Sequence, residues 1–229
     1  MAESTYSRGK DTIAVINTEE LANFVTVRHD FPCAFHLPYT VNADLARHLR
    51  PTLKERKILI YGRPSTARNL FEIIVEGARI WQGRNPEANS TYELIFAGEE
   101  FDSTLLAELE NARLVGKVSL TDYATLLNEA AIGLSLMVSP HPSYPPLEMA
   151  AAGCVTITND YETKDLTRRA DNIISLGVIT PDKVADALDT AVLRARLRVT
   201  TPLVTIRDVP TEIPRIDYDL IAQALESCG

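Results

Sequence analysis

The sequence predicts an α/β protein with a doubly wound parallel sheet, and two observations predict this class. A continuous apolar run at 58–61 (ILIY) and mostly apolar runs at 92–98 (YELIFAG) and 131–139 (AIGLSLMVS) are typical of strands in the interior of a sheet. Amphipathic segments with helical spacing of their apolar residues separate these runs. Strands that alternate with helices indicate a parallel sheet, because each parallel connection needs a crossover.

The N-terminal part of the chain is less regular. The stretch 12–17 (TIAVIN) predicts a strand, 18–25 (TEELANFV) predicts a helix capped by Thr18, and 33–42 predicts a strand that runs into a turn. The charged segment 43–57 has few apolar residues, so we expect a connector there.

From residue 58 onward the pattern predicts a complete sheet domain. After the polar loop 62–69, apolar residues recur at helical spacing: Leu70, Phe71, Ile74, Ala78 and Trp81. Ser119, with Asp122 three positions later, predicts the start of a second helix. Two further strands (154–159 and 172–176), a helix (181–198) and a short C-terminal helix complete the prediction.

The composition restricts the class of partner. The net charge of −8 argues against nucleic acid or an anionic membrane as the main partner, although a local cluster of positive charge can still bind a small phosphate ligand. No apolar run approaches the roughly 18 residues of a transmembrane helix, and the polar N-terminus does not resemble a signal peptide. Three widely spaced cysteines (Cys33, Cys154 and Cys228) suggest reduced thiols and a cytoplasmic protein.

Three polar loops follow predicted strands, at 62–69, 97–101 and 139–147. In open α/β sheets, ligands bind at the carboxyl ends of the strands. We therefore expect the functional site among these loops.

The first loop carries two arginines. Gly62 ends a predicted strand and is expected to let the backbone turn sharply, and Arg63 and Arg68 then flank a Ser-Thr pair. Guanidinium groups beside a helix N-terminus suit a diphosphate. The pattern is equally compatible with two solvated arginines and an ordinary helix cap at Ser65 or Thr66.

The third loop, SPHPSYPPLEMAAAGC at 139–154, contains four prolines and leads into a short helix. Pro146 suits the first helical position, and Glu148 then lies in the first turn. A carboxylate there can accept two hydrogen bonds from a vicinal diol such as a ribose, or it can simply complement the helix dipole. Its position after the third strand, at the expected ligand edge, favours the binding role.

These residues carry a resemblance to a known family. A strand followed by GR and a second basic residue, then FAGEE, then the run from LTDYATLL to CVTITN is similar to the C-terminal, nucleotide-sugar-binding half of GT-B glycosyltransferases. The segment most resembles family 4, and within it the rhamnosyltransferase-like members of polysaccharide assembly. The resemblance covers about residues 55–195 and implies a Rossmann-like fold.

The resemblance implies roles for individual residues. Arg63 and Arg68 would hold the donor diphosphate and stabilise the leaving group, with Arg68 at a position that is usually Lys, and Glu148 would bind the donor ribose. The implied substrate-binding residues are Gly62, Gly98, Lys117, Val118, His141, Ser143, Tyr144, Pro145, Leu147 and Glu148. Among these, the loop at Gly98 and the residues Lys117 and Val118 would frame the base.

One position departs from the family pattern. Many members carry a second Glu eight residues before the ribose-binding one, and this chain has Pro140 there, followed by His141. His141 is expected to donate to a sugar hydroxyl or phosphate in its place, although a solvent-facing loop histidine is the alternative.

A GT-B enzyme has two doubly wound domains, and only one fits within 229 residues. We therefore expect an N-terminal extension and linker at 1–54, a remnant of an acceptor domain, the nucleotide-sugar-binding domain at 55–198, and a crossover segment with a helix at 199–229. The chain is then a fragment of a longer enzyme or a half that needs a partner chain or domain for its acceptor site.

Three functions follow from the sequence. The first is transfer of a sugar, with rhamnose as a candidate, from a nucleoside-diphosphate sugar to a glycan acceptor. The second is a non-catalytic sugar-nucleotide-binding module, and the third is a scaffold that has lost its ligand. No metal or other cofactor is expected, because the chain shows no metal-binding acid pair and the spacing of His36 and His48 matches no metal site.

Overall fold

The structure, a computed structural model, describes most of the chain. The described residues are 14–29, 34–36, 40, 42–196, 202–209 and 218–227. Cys33 and Cys228, on which part of the redox argument rests, lie outside them.

Eight strands and eight α-helices lie along the described residues. In chain order they are β1 (Ala14–Ile16), α1 (Glu19–His29), β2 (Ala34–His36), α2 (Ala43–His48), β3 (Glu55–Gly62), α3 (Phe71–Arg84), α4 (Pro86–Asn89), β4 (Glu93–Gly98), β5 (Ala112–Gly116), α5 (Leu120–Glu129), β6 (Ala130–Leu134), α6 (Pro145–Ala151), β7 (Val155–Asn159), β8 (Ile173–Leu176), α7 (Pro181–Arg196) and α8 (Tyr218–Ser227). Short 3₁₀ turns lie at Ala67–Asn69 and Ser103–Leu106.

The main sheet confirms the predicted fold class. Its six strands are all parallel and lie in the order β5-β4-β3-β6-β7-β8. The chain first moves outward from β3 through β4 to β5, then returns to place β6 on the other side of β3. This reversal opens a crevice at the carboxyl ends of β3 and β6, where doubly wound sheets bind their ligands.

Helices cover both faces of the sheet, which explains the continuous apolar runs of its strands. On one face α3 and α7 pack against the sheet, with Trp81 and Phe96 fully buried between them and the strands. On the other face lie α2, α5 and α6, with Leu45, Leu127 and Met149 fully buried.

The expected connector at 43–57 is wrong, because this stretch forms α2 and the start of β3. The side-chain oxygen of Asn42 accepts from the N–H groups of Asp44 and Leu45 and so starts the helix. Leu45 is fully buried and Leu49 is 5% exposed, so two leucines are enough to anchor this short helix.

The edge strand β5 was not predicted from the sequence. It pairs with β4 alone, and its residues are half-buried or exposed except at the final Gly116. An edge strand of this kind lacks the continuous apolar run that identifies the central strands. The third predicted strand, by contrast, exists as β6 but ends at Leu134, five residues before the expected end.

The N-terminal unit, defined as β1, α1 and β2, is a small parallel β-α-β motif. It is tied to the main domain by Glu20 of α1, whose Oε1 accepts from Nε and Nη2 of Arg169 at 3.0 and 2.7 Å. Both residues are buried: Glu20 is 1% exposed and Arg169 is 5% exposed. Arg169 Nη1 also donates to the carbonyl oxygens of Arg207 and Asp208 at 3.3 Å, so three separate stretches of chain meet at one guanidinium group.

Replacing Arg169 with Ala is expected to lower the free energy of unfolding by about 3–5 kcal/mol, because Glu20 would remain buried without its counter-charge. Urea denaturation followed by circular dichroism measures the change. Arg28→Ala is the matched control, since Arg28 also lies on α1 and pairs with Glu162 at 2.9 Å on the surface. We expect only a small change there, and an Arg169→Ala variant as stable as wild type would contradict the assignment.

Candidate functional site

A cleft of about 350 Å³ opens at the carboxyl edge of the main sheet. Its lining comes from the ends of β3 and β4, the turn after β5, and the first residues of α5 and α6: Tyr61, Ala97, Gly98, Lys117, Val118, Ser119, Leu120, Tyr123, Tyr144, Pro145 and Glu148. Six of the predicted site residues therefore meet in one place: Gly98, Lys117, Val118, Tyr144, Pro145 and Glu148.

Glu148 lies in the first turn of α6, as expected, and faces the cleft. The helix begins one residue earlier than predicted, with Pro145 and Pro146 as its first two residues. The Glu148 N–H donates to the carbonyl oxygen of Tyr144 at 3.0 Å. Burial raises the pKa of the Glu148 carboxyl, because it disfavours the charged form, and the nearby Tyr123 hydroxyl partly offsets this rise.

Tyr123 also lines the cleft, although it is not among the predicted site residues. Its hydroxyl is buried and has no hydrogen-bond partner among the described residues. Burial raises the pKa of Tyr123 well above its ordinary value, and the charge of Glu148 adds to that rise. The sequence did not indicate that Tyr123 lies at the cleft, because this residue reaches the cleft from α5 and the strand before α5, β5, was not predicted.

Gly98 shapes the wall of the cleft at the end of β4. Its φ angle is +121°, a conformation that favours glycine. A Cβ atom there would lie 2.9 Å from a ring carbon of Tyr61. The missing side chain therefore lets the aromatic ring of Tyr61 stand close to the backbone at the cleft.

Arg63 lies outside the cleft lining but is joined to it through Glu99, the neighbour of Gly98. Arg63 Nε lies 3.6 Å from Oε2 of Glu99. The N–H and hydroxyl of Ser65 donate to the same carboxylate at 3.3 and 2.6 Å. The Ser65 hydroxyl, and to a smaller extent Arg63, lowers the pKa of Glu99.

The alternative of an ordinary helix cap in this loop does not hold. Ser65 bonds to Glu99, and Thr66 makes no side-chain capping bond. The helix α3 begins only at Phe71, after the left-handed residue Leu70 with φ +54°.

Gly62 ends β3 as predicted, but the expected sharp turn at this residue is wrong. Its backbone has no positive φ, and the turn begins at Arg63, whose carbonyl oxygen accepts from the Thr66 N–H at 3.0 Å. A Cβ at Gly62 would lie 3.2 Å from ring carbons of Phe71. Glycine therefore makes room for this ring rather than for a turn.

His141 is half-buried rather than facing solvent. Its Nδ1 accepts from the Ser143 N–H at 3.0 Å, and its ring meets that of Tyr144 edge-on at 5.4 Å. Burial lowers the pKa of His141, and the positive charges of Lys164 and Arg68 lower it further, against an opposing effect of Glu20.

Arg68 is exposed and lies beside the same loop. Its carbonyl oxygen accepts from the Val138 N–H at 2.8 Å. Arg68 and His141 are therefore close in space but do not line the cleft.

Ser143 and Leu147, the two other predicted residues of this segment, are buried. Ser143 adopts a left-handed φ of +66° and so lets the loop fold back on itself. Leu147 is 2% exposed and faces a small cavity that it shares with Thr18 and Glu20 of the N-terminal side, away from the cleft.

The side chains of Asn159 and Lys164 hold the backbone of Met137, just before the proline-rich loop at 139–147. The sequence did not indicate this polar clamp. Asn159 Oδ1 accepts from the Met137 N–H at 2.7 Å, and Nδ2 donates to the Met137 carbonyl at 3.2 Å. Lys164 Nζ donates to the same carbonyl at 2.6 Å. Lys164 is 1% exposed, and burial lowers its pKa to about 8.

The described part of the chain contains no group of three or more His, Cys, Asp or Glu side chains placed to hold a metal ion. None of its helices is long and apolar enough to span a bilayer. Cys154 is a buried free thiol in the core, and its Sγ donates to the carbonyl of Ala130 at 3.2 Å.

Comparison with known proteins identifies the relatives of this chain. The family described as "WsaF, C-terminal domain" matches residues 56–189, more than half of the chain. The O-antigen biosynthesis protein RfbC of Myxococcus xanthus is 31% identical over 203 residues, which cover 86% of this chain and 15% of RfbC. The chain thus spans a small part of that protein.

Two solved structures show the same fold. The pneumococcal O-GlcNAc transferase GtfA, in complex with UDP and GlcNAc, is 12% identical with a TM-score of 0.59, over 86% of this chain and 41% of GtfA. A glycosyltransferase from Rickettsia africae is 13% identical with a TM-score of 0.60, over 83% of this chain and 56% of that one. These likenesses confirm the Rossmann-like fold that was expected from the resemblance to GT-B glycosyltransferases.

Lys164→Met is expected to change how stability depends on pH. Between about pH 8 and 10.5 the folded wild type binds fewer protons at Lys164 than the unfolded chain, so its stability rises with pH across this window. At about 1.4 kcal/mol per pKa unit, wild type should gain about 3 kcal/mol relative to the variant by the upper end of the window. Urea denaturation of both proteins from pH 7 to pH 10 tests this, and parallel stability curves would contradict it.

Proposed function

The chain belongs to the WsaF C-terminal domain family, and from that premise we propose that it is the donor-binding part of a glycosyltransferase. The reaction is transfer of a sugar from a nucleoside-diphosphate sugar to a glycan acceptor in polysaccharide biosynthesis, with rhamnose as the proposed sugar. The observation that carries the proposal is the half-buried carboxylate of Glu148, which lines a cleft of about 350 Å³ at the carboxyl edge of the sheet.

The cleft suits the nucleoside part of such a donor. Glu148 accepts hydrogen bonds from the sugar hydroxyls of the nucleoside, which supply partners for a carboxylate that is costly to bury alone. Gly98, Lys117 and Val118 line the same cleft, and in this proposal they contact the base. The ring of Tyr61 adds an aromatic surface on which a base can pack.

The diphosphate lies toward the loop that carries Arg63. Because Arg63 is paired with Glu99, a phosphate group replaces that carboxylate as its partner when the donor binds. Arg68 and His141, on the neighbouring loops, extend the positively charged and hydrogen-bonding surface toward the donor sugar.

The catalytic contribution of these residues is electrostatic. When the bond from the sugar to the diphosphate breaks, negative charge builds up on the leaving group, and Arg63 and Arg68 stabilise it. The acceptor hydroxyl forms its bond to the anomeric carbon and passes its proton to the departing diphosphate. This step requires that the acceptor, held by the other side of the enzyme, lies beside the bound donor.

We further propose that the acceptor site lies on another domain or chain. The N-terminal unit, within residues 1–54, belongs to that side of the enzyme, while 55–198 binds the donor and 199–229 crosses back toward the acceptor side. The small share of RfbC that the chain covers is consistent with this division. The acidic chain with its buried Cys154 thiol suits a cytoplasmic enzyme.

A second candidate is a sugar-nucleotide-binding module without catalytic activity. Pro140 favours it, because the residue stands where related enzymes hold a carboxylate that contacts the donor sugar.

Calorimetric titration with UDP, TDP and GDP should detect binding of at least one of them to the wild-type chain, and Glu148→Gln should weaken it by about tenfold or more. The Gln variant should remain at least as stable at pH 7, since an ionised buried carboxyl destabilises the fold. Affinity should also fall as the pH is lowered through the raised pKa of Glu148, because protonation weakens the carboxylate as an acceptor, and the Gln variant should lack this step.

Asp182→Asn is the matched control for this titration. Like Glu148, Asp182 is an acidic residue in the first turn of a helix that begins with proline, in this case α7. Unlike Glu148, it is exposed and lies outside the cleft lining. Equal affinity of wild type and Glu148→Gln for every nucleotide would refute the assignment of the cleft.

Incubation of the purified chain with a sugar nucleotide should give little or no transfer to an acceptor, because the acceptor site is proposed to lie elsewhere. A coupled assay that detects release of the nucleoside diphosphate measures both transfer and slow hydrolysis. Efficient transfer by the chain alone would overturn the proposed division of the enzyme. A chain that binds donor but shows no hydrolysis, even with its acceptor-side partner, would favour the non-catalytic module.

A further inference from the structure

We propose that Asn17 is a positioning residue for the cleft and that, by holding Tyr144, it makes nucleotide affinity depend on the docked N-terminal unit. The inference rests on the proposed function, because it requires that the cleft binds a nucleotide. It adds a residue from a different part of the chain, outside the sheet domain, to the residues that set affinity.

The contact itself is short and joins distant parts of the chain. Asn17 Nδ2 donates to the Tyr144 hydroxyl at 2.6 Å, across 127 positions of sequence. Tyr144 lines the cleft and is 38% exposed, so its ring is not fixed by burial alone. The bond to Asn17 therefore selects one orientation of a side chain that forms part of the binding surface.

Tyr144 occupies a position from which this orientation affects the rest of the cleft. Its carbonyl oxygen accepts the first hydrogen bond of α6, from the N–H of Glu148 at 3.0 Å. Its ring contacts that of His141 edge-on at 5.4 Å, and His141 in turn accepts from the Ser143 N–H. A change in the position of Tyr144 would therefore also affect Glu148, the proposed ribose-binding residue, and the loop that precedes α6.

The loop is a segment whose conformation depends on its surroundings. Ser143, directly before Tyr144, has a φ of +66°, which costs free energy for a residue with a side chain. Such a conformation persists because neighbouring contacts hold it, and the bond from Asn17 is one of these contacts.

Asn17 is in turn held in place by the docking of the N-terminal unit. It lies directly between β1 and Thr18, the capping residue of α1, and the second residue of α1 is Glu20 with its buried carboxylate. Glu20 is fixed through its side chain by Arg169 and through its carbonyl oxygen by the Thr163 hydroxyl at 2.6 Å. The position of Asn17 therefore reports whether this unit is docked on the main domain.

The test compares Asn17→Ala, Tyr144→Phe and the double variant by calorimetric titration of the full chain with UDP and TDP. Each single variant removes the bond, and we expect each to weaken nucleotide binding about three- to tenfold. The double variant should bind no more weakly than the weaker single variant, because both changes remove the same interaction.

Arg28→Ala is the matched control, since it removes the Arg28–Glu162 pair at the same interface without touching the cleft. It should leave nucleotide affinity unchanged, and thermal unfolding should show that Asn17→Ala is as stable as Arg28→Ala. A selective loss of affinity at equal stability is a result that a purely structural role of Asn17 does not produce.

Three results would overturn the inference. They are wild-type affinity in Asn17→Ala, equal losses in Asn17→Ala and Arg28→Ala, and additive losses in the double variant. Absence of any nucleotide binding by the wild-type chain is a different outcome, because it refutes the proposed function itself and the inference with it.

Discussion

The architecture depends on one buried guanidinium group. Arg169 donates to Glu20 of the N-terminal unit and to the backbone of Arg207 and Asp208, while its own carbonyl oxygen accepts from the Arg207 N–H at 2.8 Å. A buried charge is stable only when it has its partners, so the contacts of these three stretches depend on one another. The pieces that flank the sheet domain in sequence are thereby attached to it at one guanidinium group.

The cleft itself follows from strand order. Because the sheet is built outward from β3 in both directions, the loops after neighbouring strands diverge and leave a crevice between them. α6 starts at this crevice, and its two prolines and small residues keep Glu148 within the first turn and close to the core. Glu148 and the unpaired hydroxyl of Tyr123 are both poorly satisfied in the fold alone, as is common where a protein retains polar groups for a ligand.

The sequence predicted what depends on local pattern. Apolar runs identified the central strands, and the caps at Thr18 and Ser119 marked the starts of α1 and α5, which the structure confirms. Glu148 became a candidate because its helix follows the third predicted strand at the expected ligand edge, since the local pattern alone fits an acid that complements the helix dipole. The roles of the site residues in binding stay predictions until they are measured.

What the sequence did not reveal depends on contacts between distant residues. Edge strand β5 has no continuous apolar run, and without it the place of Tyr123 at the cleft was not visible. The clamp of Asn159 and Lys164 on Met137 joins positions 22 and 27 residues apart, and no motif announces it. Asn17 and Tyr144 meet across 127 residues, and only the folded chain brings them together.

The pair formed by Arg63 and Glu99 gives the cleft an unusual electrostatic character. Because this arginine already has an internal counter-ion, the loop does not present a bare positive charge, and the chain as a whole carries a net charge of −8. Long-range attraction therefore does little to guide an anion inward, and association is governed by diffusion and fit. An anion that approaches Arg63 must compete at close range with the Glu99 carboxylate. Under the proposed function, a diphosphate that a bound nucleoside brings beside Arg63 would compete better than a singly charged ion such as chloride.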